Sequence, residues 1–446
     1  MILAARWMPV RKEPATPVHR CPYLRRHCLR AHRKATALAD QSVRPTWFIF
    51  CPVSCSCMFS RRTDWKLTPN RFTEAQRELR ATGRELLDLT VSNPTRAGLA
   101  YDTEWILASL SRAEAMDYDP QPKGLASARE AVAAYYREQS EGLEINPESV
   151  VLTTSTSEGY SWVFRLLCNA GDEVLVAKPS YPLFEFLADL EDVTLVPYPL
   201  LYDHGWQIDF HSLHKAVSAR TRAVALVHPN NPTGSFVRAP ERDSLNAFCR
   251  EHDLALIVDE VFLDYPHDGT PRTSFAFNPE VPTFTLSGLS KISGLPQMKM
   301  AWVVTSGPEK VVTSAMQRLE VIADTYLSMN APIQLAAGVL LEQRRKIQPL
   351  LLGRVRANLA ELDRQLAKQK TCQRLQVEGG WYAVLRVPVT QSDEDVAIDV
   401  LGKTSVLIHP GHFFDFPSDG YLIVSLLTPP TGFRDGTERV LRLLNC

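Results

Sequence analysis

Seven short apolar runs, separated by segments of helix length, are the feature of this 446-residue chain that most restricts its fold. Each run is nearly continuous in apolar residues and is bounded by Gly, Pro, Asp or Asn. Strands of this kind lie in a sheet covered on both faces, which is typical of mostly parallel strands joined through helices. We therefore predict an α/β fold whose strands fall at residues 150–154, 173–177, 193–198, 222–228, 254–260, 283–288 and 301–305.

A second, smaller α+β domain is predicted from the change in pattern after about residue 307. Long helical stretches are followed there by the short strand-like runs "GGWYAVLRVP", "SVLIHPG" and "GYLIVSLL". We expect the N-terminal part of the small domain at residues 58–110, the large domain at 111–307, connecting helices at 308–350 and the rest of the small domain at 351–446.

Residues 1–57 differ from the rest of the chain, because they are rich in Arg, Pro and Cys and contain only two acids, Glu13 and Asp40. They show no periodicity that would build a core, so we expect a disordered extension, or a stretch upstream of a true start near Met58. The cysteines of "CPVSCSC" lack a fourth ligand at a regular zinc spacing, and we expect no metal.

The charge balance argues against nucleic acid or an anionic membrane as a partner, because 49 Lys and Arg nearly cancel 50 Asp and Glu. No uncharged apolar run reaches the roughly 20 residues that a membrane span requires. The remaining cysteines are scattered and are typical of reduced thiols. These features predict a cytoplasmic protein of enzyme size.

Candidate ligand-binding residues follow the predicted strands, where α/β sheets bind their ligands. The loop "STSEG" leads into an amphipathic helix, and its hydroxyl groups indicate either a phosphate site or ordinary capping by Ser155 or Ser157. Tyr181 follows the next run, where its ring would lie on a planar ligand or pack into the core. Asp259 ends a buried strand, and a carboxylate there requires a cation or a donor.

These features, followed by the turn "PNNPTG" and by Lys291, together describe one ligand. It is a flat, phosphorylated heteroaromatic compound with a basic ring nitrogen and an aldehyde that lysine holds as a Schiff base. Pyridoxal phosphate has these properties, and its ring accepts electrons from carbanions. We therefore expect pyridoxal 5'-phosphate as the cofactor.

The chain resembles the aspartate-aminotransferase-like family of pyridoxal-phosphate enzymes (fold type I, class I/II) from about residue 65 to its C-terminus. The motifs that carry this resemblance are "YDPQPKGLASAR", "TSTSEG", "KPSYP", "NNPTG", "DEVF" and "SGLSKISGLPQMKMAW". The resemblance implies a three-layer large domain with a mostly parallel seven-stranded sheet, a smaller α+β domain, and an active site shared across a homodimer.

The resemblance also implies a role for each motif residue. Lys291 would be the Schiff-base lysine, Asp259 would keep the pyridine nitrogen protonated, and Asn231 would bind the ring hydroxyl. The other implied cofactor contacts are Tyr181 stacked on the ring, Thr156, Ser157 and Lys299 on the phosphate, and Tyr118 on the phosphate of the neighbouring subunit. Ser92 and Asn93, in "TVSNPT", would line the substrate side.

The sequence departs from the family pattern at three positions, one on the phosphate, one at the ring oxygen and one at the substrate carboxylate. Lys299 replaces the usual phosphate-binding arginine, and Phe262 replaces a tyrosine whose hydroxyl reaches the ring oxygen. Ile423 stands where the family has the arginine that binds the substrate α-carboxylate. Either Arg434 or Arg386 substitutes for that arginine, or the substrate presents no free α-carboxylate in the usual place.

The activity that this resemblance implies is amino-group transfer between an amino donor and a 2-oxo acid, by a ping-pong Schiff-base mechanism. A lyase or decarboxylase would use the same lysine and acid, since substrate geometry selects the bond that breaks. Dependence on a 2-oxo acid separates these possibilities. A cofactor-binding regulator without catalysis is a third interpretation, which the loss of arginine at Ile423 would favour.

Overall fold

The computed structural model describes residues 58–140, 142–181 and 184–445. The predictions for residues 1–57 and for Cys446 therefore lie outside the described residues. From Thr68 onward the described chain forms one compact unit, and the short segment before it contains the 3-10 turn Arg61–Thr63. The division into a large and a small domain at the boundaries given above stays a prediction.

The described residues contain fourteen strands, numbered here β1 to β14 in chain order. They are β1 Leu87–Asp88, β2 Val150–Thr153, β3 Glu173–Lys178, β4 Thr194–Tyr202, β5 Trp206–Ile208, β6 Thr221–Val227, β7 Ala255–Asp259, β8 Thr283–Gly288, β9 Ala301–Ser306, β10 Gln373–Arg374, β11 Tyr382–Arg386, β12 Val406–Leu407, β13 His409–Pro410 and β14 Tyr421–Ser425.

The α-helices of the described residues are numbered in the same way. They are α1 Arg71–Ala81, α2 Thr103–Ala108, α3 Ala126–Gln139, α4 Thr156–Leu167, α5 Phe184–Leu190, α6 Phe210–Ala216, α7 Ala239–His252, α8 Leu289–Ile292, α9 Glu309–Tyr326, α10 Ala331–Leu335, α11 Ala337–Glu342, α12 Arg344–Leu366, α13 Asp393–Thr404 and α14 Pro430–Leu444. Within the same residues, no helix is both long enough and apolar enough to cross a membrane.

The large sheet has eight strands in the order β2-β9-β8-β7-β6-β3-β4-β5. Its five central strands, β8, β7, β6, β3 and β4, pair in parallel, whereas β9 and β5 run antiparallel to their neighbours. All seven predicted strands are present, so the predicted mostly parallel sheet is confirmed. The additional strand β5 has only three residues, which is too short to show a clear pattern in the sequence.

Helices cover both faces of the large sheet, because consecutive side chains of a strand point to opposite sides. In β9, Trp302 and Val304 pack with α3 in one apolar cluster, whereas Val303 packs with α4 and α9 in another. This alternation produces the predicted three-layer arrangement. The parallel pairing of the central strands places their carboxyl ends together at one edge of the sheet, where the loops that follow them converge.

The smaller α+β part contains two further sheets. One has four antiparallel strands in the order β10-β11-β14-β13, and the other pairs β1 with β12 in parallel. The helices α12, α13 and α14 pack on these strands around a core that includes Trp381 and Phe433. The strand β1, near the beginning of the described chain, therefore pairs with β12, near its end, and both belong to the smaller α+β part.

Candidate active site

A cavity of about 380 Å³ opens at the carboxyl ends of the parallel strands. It contains nearly all of the side chains that the sequence singled out, although they come from distant parts of the chain. The predicted residues that line it are Ser92, Asn93, Thr156, Ser157, Tyr181, Asn231, Asp259, Lys291 and Lys299. The fold thus brings together every predicted site residue except Tyr118.

Lys291 lies in the short helix α8, immediately after β8, and its side chain reaches between two aromatic rings. Its Nζ is 4.9 Å from the ring centroid of Trp381 and 5.5 Å from that of Phe262. Burial lowers the pKa of Lys291 to about 8, although the nearby Asp259 opposes this shift. The neutral amine, which is the form that attacks an aldehyde, is therefore far more abundant near neutral pH than for an ordinary lysine.

Asp259 is the last residue of β7, and its carboxyl group is buried. Burial raises its pKa to about 6, while a hydrogen bond from the N–H of Val261 to Oδ1 (3.0 Å) and the charge of Lys291 act in the opposite direction. A carboxylate in this position is unfavourable without a cation. A protonated ring nitrogen beside it would supply that cation.

The turn that carries Asn231 is held in place by its neighbours. Asn230 donates hydrogen bonds to the Thr233 hydroxyl (2.9 Å) and to the Pro179 carbonyl (3.1 Å). Gly234 has a φ of 70°, and a Cβ there would lie 2.4 Å from the carbonyl oxygen of Gly379, so the position requires glycine.

Asn231 itself has no such partner. Its Oδ1 is buried and accepts no hydrogen bond from the described residues. A buried amide without a partner is costly in a folded protein. Because Asn231 lines the cavity together with Asp259 and Lys291, this unsatisfied amide fits a ligand that supplies the missing hydrogen bond.

The N-terminus of α4 meets the cavity through its hydroxyl residues. Ser155 is the N-cap and accepts from the N–H of Glu158 (3.2 Å). The Glu158 carboxylate accepts from the Thr154 N–H (2.7 Å) and from the Ser328 hydroxyl (2.9 Å). Capping by Ser155 is therefore present, and Thr156 and Ser157 remain in the cavity wall, where their binding of a phosphate stays a prediction.

Lys299 lines the same cavity from the end of the loop that follows α8. Its backbone is left-handed, with a φ of 52°, and its side chain is exposed. Within the described residues Lys299 forms no ion pair, so its charge is available to an anion.

Tyr181 lies at a point where the two main sheets meet. Its ring is 6.3 Å from that of Phe184, edge to face. Just before it, the N–H of Ser180 donates to the carbonyl of Phe414 (3.0 Å), and Lys178 pairs with Asp415 (2.9 Å). The segment that carries Tyr181 is thus attached to the loop before β14.

Ser92 and Asn93 lie on the side of the cavity that faces the smaller sheet. Ser92 shares a hydrogen bond with the hydroxyl of Tyr382, a cavity residue that sequence reasoning missed. The Ser425 hydroxyl donates to the carbonyl of Val91 and so ties β14 to this loop. Nothing in the local sequence "GGWYAVLR" distinguishes Tyr382 as a cavity residue.

The structure does not support a substitute for the missing arginine at Ile423. Ile423 is fully buried in β14, between Val384 and His409, and does not line the cavity. Arg386 is exposed at the end of β11, and Arg434 is exposed and paired with Asp435 (3.1 Å). Neither arginine lines the cavity.

Tyr118 is 85% exposed and lies in a different cavity, beside Trp162 and Asn330. It contributes nothing to the site of its own chain. Its contact with a neighbouring subunit stays a prediction.

The eight-stranded sheet and the lysine site at its carboxyl edge define an enzyme with the fold type I, aspartate-aminotransferase-like architecture. An aminotransferase from Escherichia coli has the same fold, with a TM-score of 0.75 and 24% identity over 84% of this chain and 94% of that one. The alanine aminotransferase from Pyrococcus furiosus superimposes with a TM-score of 0.76 and 22% identity, over 84% and 95% of the two chains.

Residues 84–430 match the model of the family "Aminotransferase class I and II", and the chain belongs to that family. It is 29% identical to the glutamate-pyruvate aminotransferase AlaA of Haemophilus influenzae, over 78% of this chain and 88% of that protein. It is 28% identical to the alanine aminotransferase of Mycobacterium tuberculosis, over 82% and 86%. The chain is therefore an aminotransferase, a transferase of nitrogenous groups.

Proposed function

We propose that this aminotransferase binds pyridoxal 5'-phosphate in the cavity described above and moves an amino group between an amino donor and a 2-oxo acid in a ping-pong cycle. The observation that carries the proposal is the convergence of three groups on one cavity: the amine of Lys291, the buried carboxyl of Asp259 and the unpartnered amide of Asn231. A ligand with an aldehyde, a basic ring nitrogen and a ring hydroxyl satisfies all three.

When bound, pyridoxal phosphate supplies an aldehyde and a ring that spreads negative charge from the carbon under attack. Lys291 would hold the aldehyde and, when displaced by the substrate amine, would carry the proton of the reacting carbon. Asp259 would keep the ring nitrogen protonated, and Asn231 would orient the ring. Thr156, Ser157 and Lys299 would hold the phosphate, and Tyr181 would pack on the ring face.

We further propose that the donor's carboxylate is not held by a guanidinium group of this chain. Among the described residues that line the cavity, Lys291 and Lys299 alone carry a positive charge. The cavity wall near Ser92 and Asn93 offers neutral polar groups, and Phe184 and Leu187 are apolar. The relatives are named as a glutamate-pyruvate aminotransferase and an alanine aminotransferase. Alanine, glutamate and pyruvate are therefore candidate substrates, and their carboxylates would have to bind to this wall.

The enzyme is proposed to act as a homodimer in the cytoplasm. The exposed Tyr118 and its neighbour Met116, 88% exposed, form a surface that a second copy would cover. The described cysteines Cys168, Cys249 and Cys372 carry free thiols, which favours a reducing compartment.

The test is to load the purified protein with pyridoxal phosphate and titrate it with a panel of amino acids and amines while recording the visible spectrum. A donor should convert the spectrum to that of the aminated cofactor, and a 2-oxo acid should restore it. Lys291→Ala should abolish both changes, whereas Lys310→Ala, an exposed lysine in α9, should leave them intact. Product release without any 2-oxo acid would favour the lyase or decarboxylase instead.

A further inference from the structure

A second cavity, of about 400 Å³, is lined by three arginines: Arg238, Arg242 and Arg272. We call it the arginine-lined cavity. Its wall also contains His228 and one acid, Glu378. The three guanidinium groups face two carboxylates, Glu378 in the wall and Asp268 beside Arg272, and the remaining positive charge attracts anions. The first turn of the 14-residue helix α7 adds to this potential, because it begins at the same wall.

Two of the arginines have carboxylate partners. Arg238 lies 3.5 Å from Glu378, and Arg272 lies 2.8 Å from Asp268. Both are on or near the surface, where such ion pairs contribute little and exchange easily with other anions. Both guanidinium groups can therefore exchange their carboxylate partner for an anionic ligand with little loss of free energy.

Arg242 forms no ion pair within the described residues. It donates to the carbonyl of Thr273 (3.2 Å), and its guanidinium group lies 4.0 Å from the ring centroid of Phe275. The stacked ring and the partial burial fix the orientation of the group and reduce its contact with water. An orientated guanidinium group without a carboxylate partner is suited to bind an oxyanion through two parallel hydrogen bonds.

His228 provides an independent sign of a ligand. It is 2% exposed, and its Nδ1 accepts a hydrogen bond from the N–H of Val237 (3.1 Å). Nδ1 is therefore unprotonated, and the proton of the neutral ring must be on Nε2. Burial keeps the ring neutral, since it lowers the pKa of His228 to about 3. The Nε2–H finds no acceptor within the described residues, although the ring lines the cavity.

We propose that the arginine-lined cavity binds a small organic or inorganic oxyanion with at least two negative charges, which accepts hydrogen bonds from Arg242 and from the Nε2–H of His228. Phosphate esters and short dicarboxylates share this chemistry, and both match the guanidinium geometry. The site is separate from the cofactor cavity, because the two share no lining residue.

Isothermal titration of the pyridoxal-phosphate-loaded protein tests the proposal, with pyrophosphate, inorganic phosphate and succinate as separate probes. Loading the cofactor fills the proposed phosphate site at α4, and the difference between the parent protein and Arg242→Gln separates the second cavity from any binding of succinate at the substrate side. We expect saturable binding of one equivalent, weakened by added chloride. Arg242→Gln should weaken it roughly 10- to 100-fold, as expected for a lost charged hydrogen bond.

Arg250→Gln is the matched control, since Arg250 lies in the same helix but at its exposed far end. It should bind the probes as the parent protein does. If Arg242→Gln fails to fold, the exposed Arg238→Gln serves instead and should also weaken binding. Binding of either phosphates or succinate that depends on these arginines supports the site and identifies its ligand class. Absence of saturable binding, or equal affinities in all the variants, would overturn it.

Discussion

The amino nitrogen of Lys291 lies 4.9 Å from the ring centroid of Trp381. Trp381 immediately precedes β11 of the smaller sheet, whereas Lys291 follows a strand of the large one. The aromatic surface removes water from the amine without offering it a strong acceptor. The same contact thus places the lysine and adjusts its protonation.

The first prediction concerns the pH dependence of this amine. Because the pKa of Lys291 is lowered to about 8, the rate at which the cofactor-free protein combines with pyridoxal phosphate should rise with pH and level off above about pH 8. Stopped-flow absorbance measures this rate. A rate that continues to rise towards pH 10.5, the ordinary value for lysine, would contradict the prediction.

The second prediction separates stability from activity at Asp259. The folded-state pKa is raised from 3.8 to about 6, so the folded protein binds more protons than the unfolded chain between these values and loses stability as the pH rises through them. In the cofactor-free protein, Asp259→Asn should therefore increase the free energy of unfolding by about 1–3 kcal/mol at pH 8 and have no effect below about pH 4.

The same variant should lower turnover by roughly 100-fold or more, because the ring nitrogen would lose its acid. Chemical denaturation at several pH values and a steady-state assay measure the two effects. Asp324→Asn, at an exposed position of α9, is the control and should change neither quantity. Equal destabilisation by Asp259→Asn at pH 4 and pH 8 would argue against the buried-charge explanation.

The third prediction concerns Phe262, which lines the cavity where a hydroxyl is expected from the family pattern. Phe262→Tyr should lower the pH midpoint of the cofactor's visible absorption change by about one unit, because an added donor stabilises a negatively charged ring oxygen. Phe262→Leu, which removes the ring without adding a donor, should not lower it. A pH titration of the absorption spectrum compares the three proteins.

The fourth prediction tests the phosphate cation. Lys299→Ala should weaken the binding of pyridoxal phosphate about 10- to 100-fold, since one charged hydrogen bond is lost. Lys299→Arg should retain the affinity within a few-fold, because the guanidinium fork also fits a phosphate. Equilibrium dialysis provides the affinities, with Lys310→Ala as the unaffected reference. Identical affinities for the Ala variant and the parent would place the phosphate elsewhere.

The fifth prediction concerns the turn that presents Asn231. Gly234→Ala should lower the free energy of unfolding by about 2 kcal/mol or more, because the φ of 70° and the close carbonyl of Gly379 both exclude a Cβ. Gly353→Ala, in the interior of α12 with no atom near its Cβ position, should instead be stabilising by about 0.5–1 kcal/mol. Thermal unfolding of the two variants gives the comparison, and a neutral Gly234→Ala would contradict it.

Most strands of the large sheet were predictable because β2, β3, β6, β7, β8 and β9 are buried almost throughout and are therefore nearly continuous in apolar residues. The convergence of Tyr181, Asn231 and Asp259 on one cavity was predictable from the same strands, since each residue ends or follows one of them and parallel strands end at a common edge. The three-residue strand β5 carries too few residues for any pattern to be distinguished from a loop.

The substrate side was harder to predict because it depends on how the smaller sheet packs against the larger one. Tyr382 comes from an antiparallel strand, and nothing in its local sequence shows that it faces the cavity. Arg386 lies four residues further along the same strand and therefore on the same face, yet it does not line the cavity. The two residues differ in the end of β11 that they occupy, and only the tertiary arrangement specifies which end meets the cavity.

The attachment of the Tyr181 segment to the loop before β14 has a consequence for how this enzyme can diversify. The ring proposed to grip the cofactor follows Ser180, and Ser180 is bonded to Phe414, whose loop leads into the strand beside the substrate loop. Because this bond uses the backbone carbonyl of Phe414, it is compatible with any side chain there but not with a loop of different length. Insertions or deletions in the loop before β14 would thus disturb the proposed contact with the cofactor together with the strand that follows.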